Sequence, residues 1–342
     1  MRISSLSYFT SSLPAMQDNQ SQIARLSEQI GSGQRLLAAK DDPLAAGKAM
    51  QLSSRIAVRE QYLANQQKAG LALNYENTVL KEMDKSLTDA RALLTQSNGS
   101  DAQPVRDQHA EMLKNLYLHL KDLANSRDTE GHYIFAGFNT QLGSATPPFD
   151  HPQGYPTIAA STASTYNGTA DGALPSTQGV RSITMDDGRS VQVSDNLENV
   201  LKFPVASPVA IPFADPNPPH AITTVNTTDV FQALDQIAIT LHDTNLATTQ
   251  VEQAVSDTMN GLTATLDRLG GIERRLAAAT LELNDVQKTT ESLLLIERNA
   301  LSDLTQVDQA AAIVEMQSRQ TSLQAAQQAY AATSKLSLFS YL

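Results

Sequence analysis

From Ile272 onward, apolar residues recur at alternating steps of four and three: Leu276, Ala279, Leu283, Val286, Thr290, Leu293, Glu297, Ala300, Leu304, Val307, Ala311 and Val314. Only Thr290 and Glu297 interrupt this stripe, and no proline or glycine falls inside it. Sustained over about six heptads, the pattern is that of a coiled-coil helix and not of an ordinary globular one. Past Val314 the same register continues as Ser318, Thr321, Ala325, Gln328 and Ala332, so the face turns small and polar. The chain then closes on Leu336, Leu338, Phe339, Tyr341 and Leu342. So long a seam predicts a partner helix, from this chain or from another copy.

The other end offers one. Leu6, Phe9, Leu13, Met16, Ile23 and Ile30 fall at heptad-like intervals, with Leu26 widening the face. Pro14 predicts an early helical turn capped by Ser11 or Ser12, because proline is tolerated there and not deeper. The helix should weaken at Gly31-Ser32-Gly33 and restart at Asp42, whose carboxylate can cap free amides while Pro43 takes the first helical position. A long helix follows from about Leu44, with Ile56, Leu63, Leu73, Leu80, Met83, Leu87, Ala90 and Leu94 on its apolar side; Asn98-Gly99-Ser100 ends it. Another spans about Pro104 to Asn125, carrying Leu113, Leu116, Leu120 and Leu123.

Near Gly131 the pattern changes. Tyr133-Ile134-Phe135-Ala136-Gly137 reads as a short strand, and Pro147-Pro148-Phe149 opens an irregular region. Ile183 and Met185, then Val191 and Val193, alternate with polar residues around Asp186-Asp187-Gly188, which predicts a β-hairpin. Prolines at 204, 208, 212, 216, 218 and 219 predict an extended arm or linker, neither central strand nor helix. Helical spacing resumes at Asp229 with Val230, Leu234, Ile237 and Leu241, then Val255, Met259, Leu262, Leu266 and Leu269; Gly270-Gly271 weakens it just before Ile272, though the spacing also allows the register to pass through. The fold class is mainly α with an inserted β-rich domain, the long N- and C-terminal helices packing together as a coiled-coil-like bundle. The Leu- and Val-rich half of the stripe, to about Val314, should pack on the Leu73–Leu94 helix, leaving the Ala/Ser/Thr/Gln half for other subunits.

Composition narrows the function. The 342 residues include no Cys and no Trp, and aromatics are 5%. That suits helix seams better than a ligand pocket and excludes disulfides and thiolate metal sites. A net charge of -11 argues against a nucleic-acid partner. No apolar run is long enough for membrane insertion, and the opening MRISSLSYFTSSLPAM lacks the continuous apolar core of a cleavable signal peptide. The six histidines, at 109, 119, 132, 151, 220 and 242, match no zinc spacing. His119 and Asp122 read as surface or packing residues. Gly31-Ser32-Gly33 lacks the lysine of a phosphate loop, and Asp41-Asp42 reads as a cap and not as a metal or catalytic pair. Asn167-Gly168-Thr169 and Asn226-Thr227-Thr228 fit the glycosylation pattern, which is short enough to occur by chance. No nucleophile, base and orienting group come together, and no cofactor motif is present.

Several stretches together resemble the flagellin family, and within it the hook–filament junction proteins more closely. Leu26-Ser27-Glu28-Gln29-Ile30-Gly31-Ser32-Gly33-Gln34-Arg35 followed by Asp41-Asp42-Pro43 is similar to the family's SSGKR…DDP signature. The opening Met1-Arg2-Ile3-Ser4, the Tyr133–Gly137 segment with Pro148-Phe149, Leu323-Gln324-Ala325-Ala326, and the closing Leu336-Ser337-Leu338-Phe339-Ser340-Tyr341-Leu342 resemble junction proteins. Tyr166-Asn167-Gly168 and the hairpin after it are counterparts of the family's β domain, whereas the proline arm departs from the pattern.

The resemblance implies a structural, non-catalytic component of the bacterial flagellum, exported through the flagellar type III apparatus without a cleavable signal. Expected partners are the first hook-associated protein, flagellin, copies of the chain in a helical ring, and a cytoplasmic export chaperone on the C-terminal helix. It also implies three parts: an inner assembly domain (residues 1–43 and 304–342), a helical bundle (44–145 and 229–303) and a β-rich outer domain with the proline arm (146–228). The expected assembly interface is Leu6, Phe9, Leu13, Ile23, Leu26, Ile30, Leu323, Ala326, Tyr330, Leu336, Leu338, Phe339 and Leu342. Roughly the first 40 and last 40 residues should be protease-sensitive in the monomer, as segments that order on binding are. The alternatives are a flagellin-type filament subunit, and a secreted coiled-coil effector or adhesin with an active middle domain.

Overall fold

A computed structural model describes residues 2–97, 99, 101–138, 147–150, 165–166, 180–203, 209–214 and 222–339; for 2–11, 165, 199, 213 and 333–339 it describes the backbone alone. The elements are helices α1 (Arg2–Ser32), α2 (Pro43–Gln96) and α3 (Gln103–Ala124), strands β1 (Phe149–Asp150), β2 (Thr165–Tyr166), β3 (Ser182–Asp186) and β4 (Arg189–Gln192), the short helix α4 (Glu198–Leu201), strands β5 (Val209–Ala214) and β6 (Ile222–Thr227), and helices α5 (Val230–His242), α6 (Thr248–Thr305) and α7 (Gln309–Phe339). The chain is mainly α, with three antiparallel two-stranded ribbons between α3 and α5: β1-β2, β3-β4 and β5-β6. It falls into two compact units, residues 1–61 with 290–342, and residues 62–289.

The unit 62–289 holds the continuous core. Its centre is α5, buried along its whole length from Val230 to Leu241, the polar Gln232, Asp235, Gln236 and Thr240 included. Asp229 starts α5 by accepting the Gln232 N–H at 3.0 Å, and the Gln232 side chain reaches back to accept the Thr228 N–H at 2.8 Å. In the same buried cluster are Leu73, Leu80, Met83 and Leu87 of α2, Leu113, Tyr117 and Leu120 of α3, and Val251, Leu262, Leu276 and Leu283 of α6. Each such leucine removed from water contributes about 1.5–3 kcal/mol. The β3-β4 hairpin turns at Gly188, whose φ of +92° few other residues adopt. It docks through Gln66, which donates to the Met185 carbonyl at 2.7 Å, and Asn65, which donates to Thr184 O at 3.2 Å.

In the unit 1–61 with 290–342, α1 packs along α7 and the first part of α2 along the last part of α6. Arg319 of α7 donates to Asn19 of α1 at 3.3 Å. Between α2 and α6, Glu297 is buried beside Arg55 and Arg59, the latter donating to it at 2.8 Å, and Arg298 pairs with Glu60. The acidic break in the stripe is therefore an internal ion pair.

Five expectations are corrected. The stripe from Ile272 is not one helix: it stops at Thr305, and α7 restarts at Gln309 after Asp308 caps it, accepting the Ala311 N–H at 3.0 Å. The seam onto Leu73–Leu94 accordingly ends well before Val314, which is 66% exposed on α7. Pro14 lies inside α1, which forgoes one backbone bond there and continues. The Tyr133–Gly137 segment is a buried run of bends, with a bridge from Tyr133 to Arg127, because its carbonyls and aromatics serve the core and no strand among the described residues runs beside it. The described part of the proline arm is paired: β5, with Pro212 inside it, lies on β6 from Val209↔Thr227 to Ala214↔Ile222. Proline fits because β5 has a strand on one side only; on its other flank the Pro212 carbonyl accepts from Thr240 of α5 at 3.0 Å. The other prolines of the arm, Asn167 and Gly168 lie outside the described residues.

Candidate assembly surfaces

The turn after α1 and the break before α7 are stitched to one another. Gly33, in a left-handed conformation, ends α1. Its carbonyl accepts the Val307 N–H at 3.1 Å, Gln34 bridges to Gln306, and the Arg35 N–H donates to Thr305 O at 2.8 Å. The Arg35 guanidinium adds a bond to Leu304 O at 2.9 Å, thus satisfying carbonyls that the end of α6 would leave bare. Gln29 donates to Arg35 O at 2.7 Å, Arg25 pairs with Asp41 at 3.1 Å, and Arg35 lies 3.5 Å from Asp42. Asp42 accepts the Ala45 N–H at 3.0 Å with Pro43 opening α2; that backbone bond, before the Arg35 charge, holds its carboxyl below the usual range. The GSGQR…DDP stretch is thus a clasp between the N-terminal and C-terminal helical segments of one chain.

A second group of sequence-marked residues closes the core. Asn125 grips Phe149 on both sides, donating to its carbonyl and accepting its N–H, each at 2.9 Å. The Tyr166 hydroxyl donates to Phe135 O at 2.9 Å. Phe149 stacks on Tyr166 (4.9 Å between ring centres) and on Phe231 (5.8 Å), and Tyr117 meets Phe231 edge-on at 6.3 Å. Burial, with Asp235 nearby, drives the Tyr117 hydroxyl pKa well up, so it stays neutral.

Residues 3–140 match the bacterial flagellin N-terminal helical region. Over 345 aligned residues, covering 99% of both chains, the sequence is 26% identical to flagellar hook-associated protein 3 of Escherichia coli (strain K12). The fold is shared with a putative flagellar hook-associated protein from Vibrio parahaemolyticus (TM-score 0.61, 18% identity, 78% of this chain and 100% of that one). It is shared also with the flagellar junction protein of Legionella pneumophila (TM-score 0.53, 17% identity, 75% and 99%). The chain is similar to hook-associated protein 3 along its whole length.

Given that likeness, the surfaces that could meet other subunits matter most. Of the residues assigned to assembly from sequence, Leu13 is 47% exposed, while Ile23, Leu26 and Ile30 on α1 and Leu323, Ala326 and Tyr330 on α7 are half-buried where these helices run together. Leu6 and Phe9, and Leu336, Leu338 and Phe339, stand on the outer ends of α1 and α7 with side chains outside the described residues, as is Leu342 altogether. Sequence reasoning missed the exposed apolar residues outside the termini: Leu44, Met50 and Val58 on α2, and Leu295 and Ile296 on α6. Met50 with Ala57 was the available signal, a heptad step off the main stripe. It also missed a buried ionic group in the unit 62–289. Arg275 pairs with Asp195 beneath the β3-β4 hairpin, and Glu76 lies buried beside them with both carboxyl oxygens lacking a hydrogen bond of normal geometry. Burial first, then the neighbouring Asp195, pushes the Glu76 carboxyl up to about 8.

His119 and His109 serve local packing. His119 bonds Ser86 and His109 bonds Ser97, each at 2.9 Å, and Ser97 gives its own proton to Leu93 O. A hydroxyl so engaged is held, not activated.

Proposed function

We propose that this chain is a structural junction protein of the bacterial flagellum, an adaptor that joins the hook to the flagellin filament. The observation that carries it is the full-length likeness to hook-associated protein 3, together with a helical pair at the termini whose apolar residues stay half-buried within one chain. Its work is binding, without catalysis. In this reading α1 and α7 form the inner assembly domain (1–43 and 304–342), the helices of 44–145 and 229–303 the bundle, and 146–228 the outer domain. Leu13, Ile23, Leu26 and Ile30 with Leu323, Ala326 and Tyr330 finish their burial against neighbouring copies in a helical ring, since heterologous contacts that do not close generate tubes. The terminal residues Leu6, Phe9, Leu336, Leu338, Phe339 and Leu342 join them. The hook side meets the first hook-associated protein and the filament side meets flagellin. A cytoplasmic chaperone covers the C-terminal helix before export, which proceeds to the cell exterior without a cleavable signal.

Deleting the gene tests this. Hooks without filaments, and flagellin released into the medium, are expected; normal filaments would end the junction reading. Growth of long filaments from the purified chain alone would shift the assignment to a filament subunit.

A further inference from the structure

Three ionisable side chains from three elements meet beneath the β3-β4 hairpin. Glu76 of α2 and Asp195, just past β4, are the two carboxyls, and Arg275 of α6 is the cation beside them. Glu76 is 1% exposed and Asp195 7%. Asp195 also accepts the Gln192 side-chain amide at 2.8 Å, whereas neither oxygen of Glu76 meets a hydrogen-bond donor in normal geometry. Two carboxylates against one guanidinium leave a buried negative charge uncompensated unless a proton stays on the pair, and such a charge is strongly unfavourable. Glu76 also lines a cavity of about 560 Å³, around which stand Lys68 and Tyr75 of α2, Asp128 and Glu130 after α3, and Arg181 ahead of β3. Arg181 lies 3.8 Å from Asp128, and His132 is 3.9 Å from the same carboxylate. The charges that act on Glu76 are those of Asp195 and Arg275.

The elements that bring the three groups together are held unequally. α2 and α6 are fixed by their leucines in the core. The hairpin is a ribbon of two strands, marginal by itself, and its bonds from Asn65 and Gln66 lie about 15 Å along α2 from Glu76. The cavity beside it reaches the surface at Leu71, which is 73% exposed. We propose that the β3-β4 hairpin, with residues 193–195 that follow it, is a proton-operated latch, closed on α2 while the carboxyl pair holds its proton and lifted when that proton leaves. Lifting parts Asp195 from Glu76 and admits water to both, while α2, α5 and α6 stay in place as a more stable unit. Burial of Met185 and Val191 opposes the opening and keeps the latch shut while the pair is neutral. Burial, then Asp195, holds the Glu76 carboxyl up to about 8, and burial raises that of Asp195 as well. In the open form the Glu76 carboxyl returns toward its ordinary 4.5, so opening grows easier as the pH rises from about 4.5 through about 8, and no easier beyond. The latch goes beyond the junction reading and does not depend on it.

Amide hydrogen exchange on the full chain, with rates corrected for the intrinsic effect of pH, tests this. Between about pH 6 and pH 8, protection over residues 182–195 should fall about tenfold or more. At about pH 8.5 these amides should exchange far faster than those of α5, which stay protected. Glu76→Gln cannot ionise, and in that variant the protection of the hairpin should be the same across the range. Three results overturn the latch: a hairpin still protected at about pH 8.5, loss of protection in α5 together with the hairpin, or an unchanged pH profile in Glu76→Gln, which would give the effect to another group such as His132. Should Glu76→Gln not fold, Asp195→Asn decides. Arg275 then has Glu76 alone to balance, so the fall between about pH 6 and pH 8 should vanish; its persistence overturns the proposal.

Discussion

Between residues 62 and 289 the described core takes in Tyr117, Phe135, Phe231, Met185 and a continuous set of leucines from four helices. In residues 1–61 and 290–342 the buried hydrophobics among the described residues are Ala45, Ile56, Leu294 and Ala312. Both units are made of long helices and both leave large apolar side chains in water, Leu71 and Leu281 in one, Leu13, Leu44, Met50, Val58, Leu295, Ile296, Ile313 and Val314 in the other. What separates them is that only the first has a large buried core beside these residues. Burial of large side chains is the dominant favourable contribution to folding, so the first unit can stand alone and the second depends on what covers it. Helical periodicity alone does not separate these cases, because a heptad stripe has the same form whether its partner lies in the same chain or in another.

Substitution of one large apolar residue in each unit should separate them most widely. Phe231→Ala removes a ring packed between Phe149 and Tyr117 and should cost about 3–5 kcal/mol in denaturant unfolding. Leu295→Ala should leave monomer stability within about 0.5 kcal/mol while lowering filament attachment. Equal losses of stability would erase the contrast.

The buried carboxyl gives the enclosed unit a dependence on pH. Glu76 has its pKa raised from 4.5 to about 8, so the folded chain keeps a proton that the unfolded chain releases. Its contribution is fully present below pH 4.5 and is lost as the pH rises through about 8. Glu76→Gln keeps the shape without the charge, and should raise Tm relative to the unsubstituted chain at pH 8 while changing it little near pH 4. Parallel profiles of Tm against pH would refute the assignment. The smallest effect belongs to the clasp: Asp42→Ala should speed amide hydrogen exchange in the first turn of α2, at Ala45 and Ala46, and leave residues 62–289 untouched.

How far the sequence foretold this structure follows the same division. The long helices, the β3-β4 hairpin and the leucines of α2 were legible because period and turn chemistry are local. The break at Gln306–Asp308 was not, since an aspartate caps a helix or rides its surface with no difference in spacing; only the bonds to Gly33 and Arg35, far off in the chain, tell the two apart. The same holds for Glu297, a defect in the stripe until Arg55 and Arg59 stand beside it. Tyr133–Gly137 has strand composition, but Phe135 and its carbonyl are committed to the core and to Tyr166. For the assembly surfaces, sequence pointed to the termini; the exposed band on α2 becomes visible only once α6 shows which side of the helix is already taken.

Amide hydrogen exchange along the dilute full-length monomer, repeated on assembled flagella, tests the central claim most directly. The account predicts strong protection in the monomer for α3, α5 and the parts of α2 and α6 within 62–289, and weak protection for α1 and α7 that rises sharply on assembly. Protection of α1 and α7 in the monomer equal to that of α5 would contradict it.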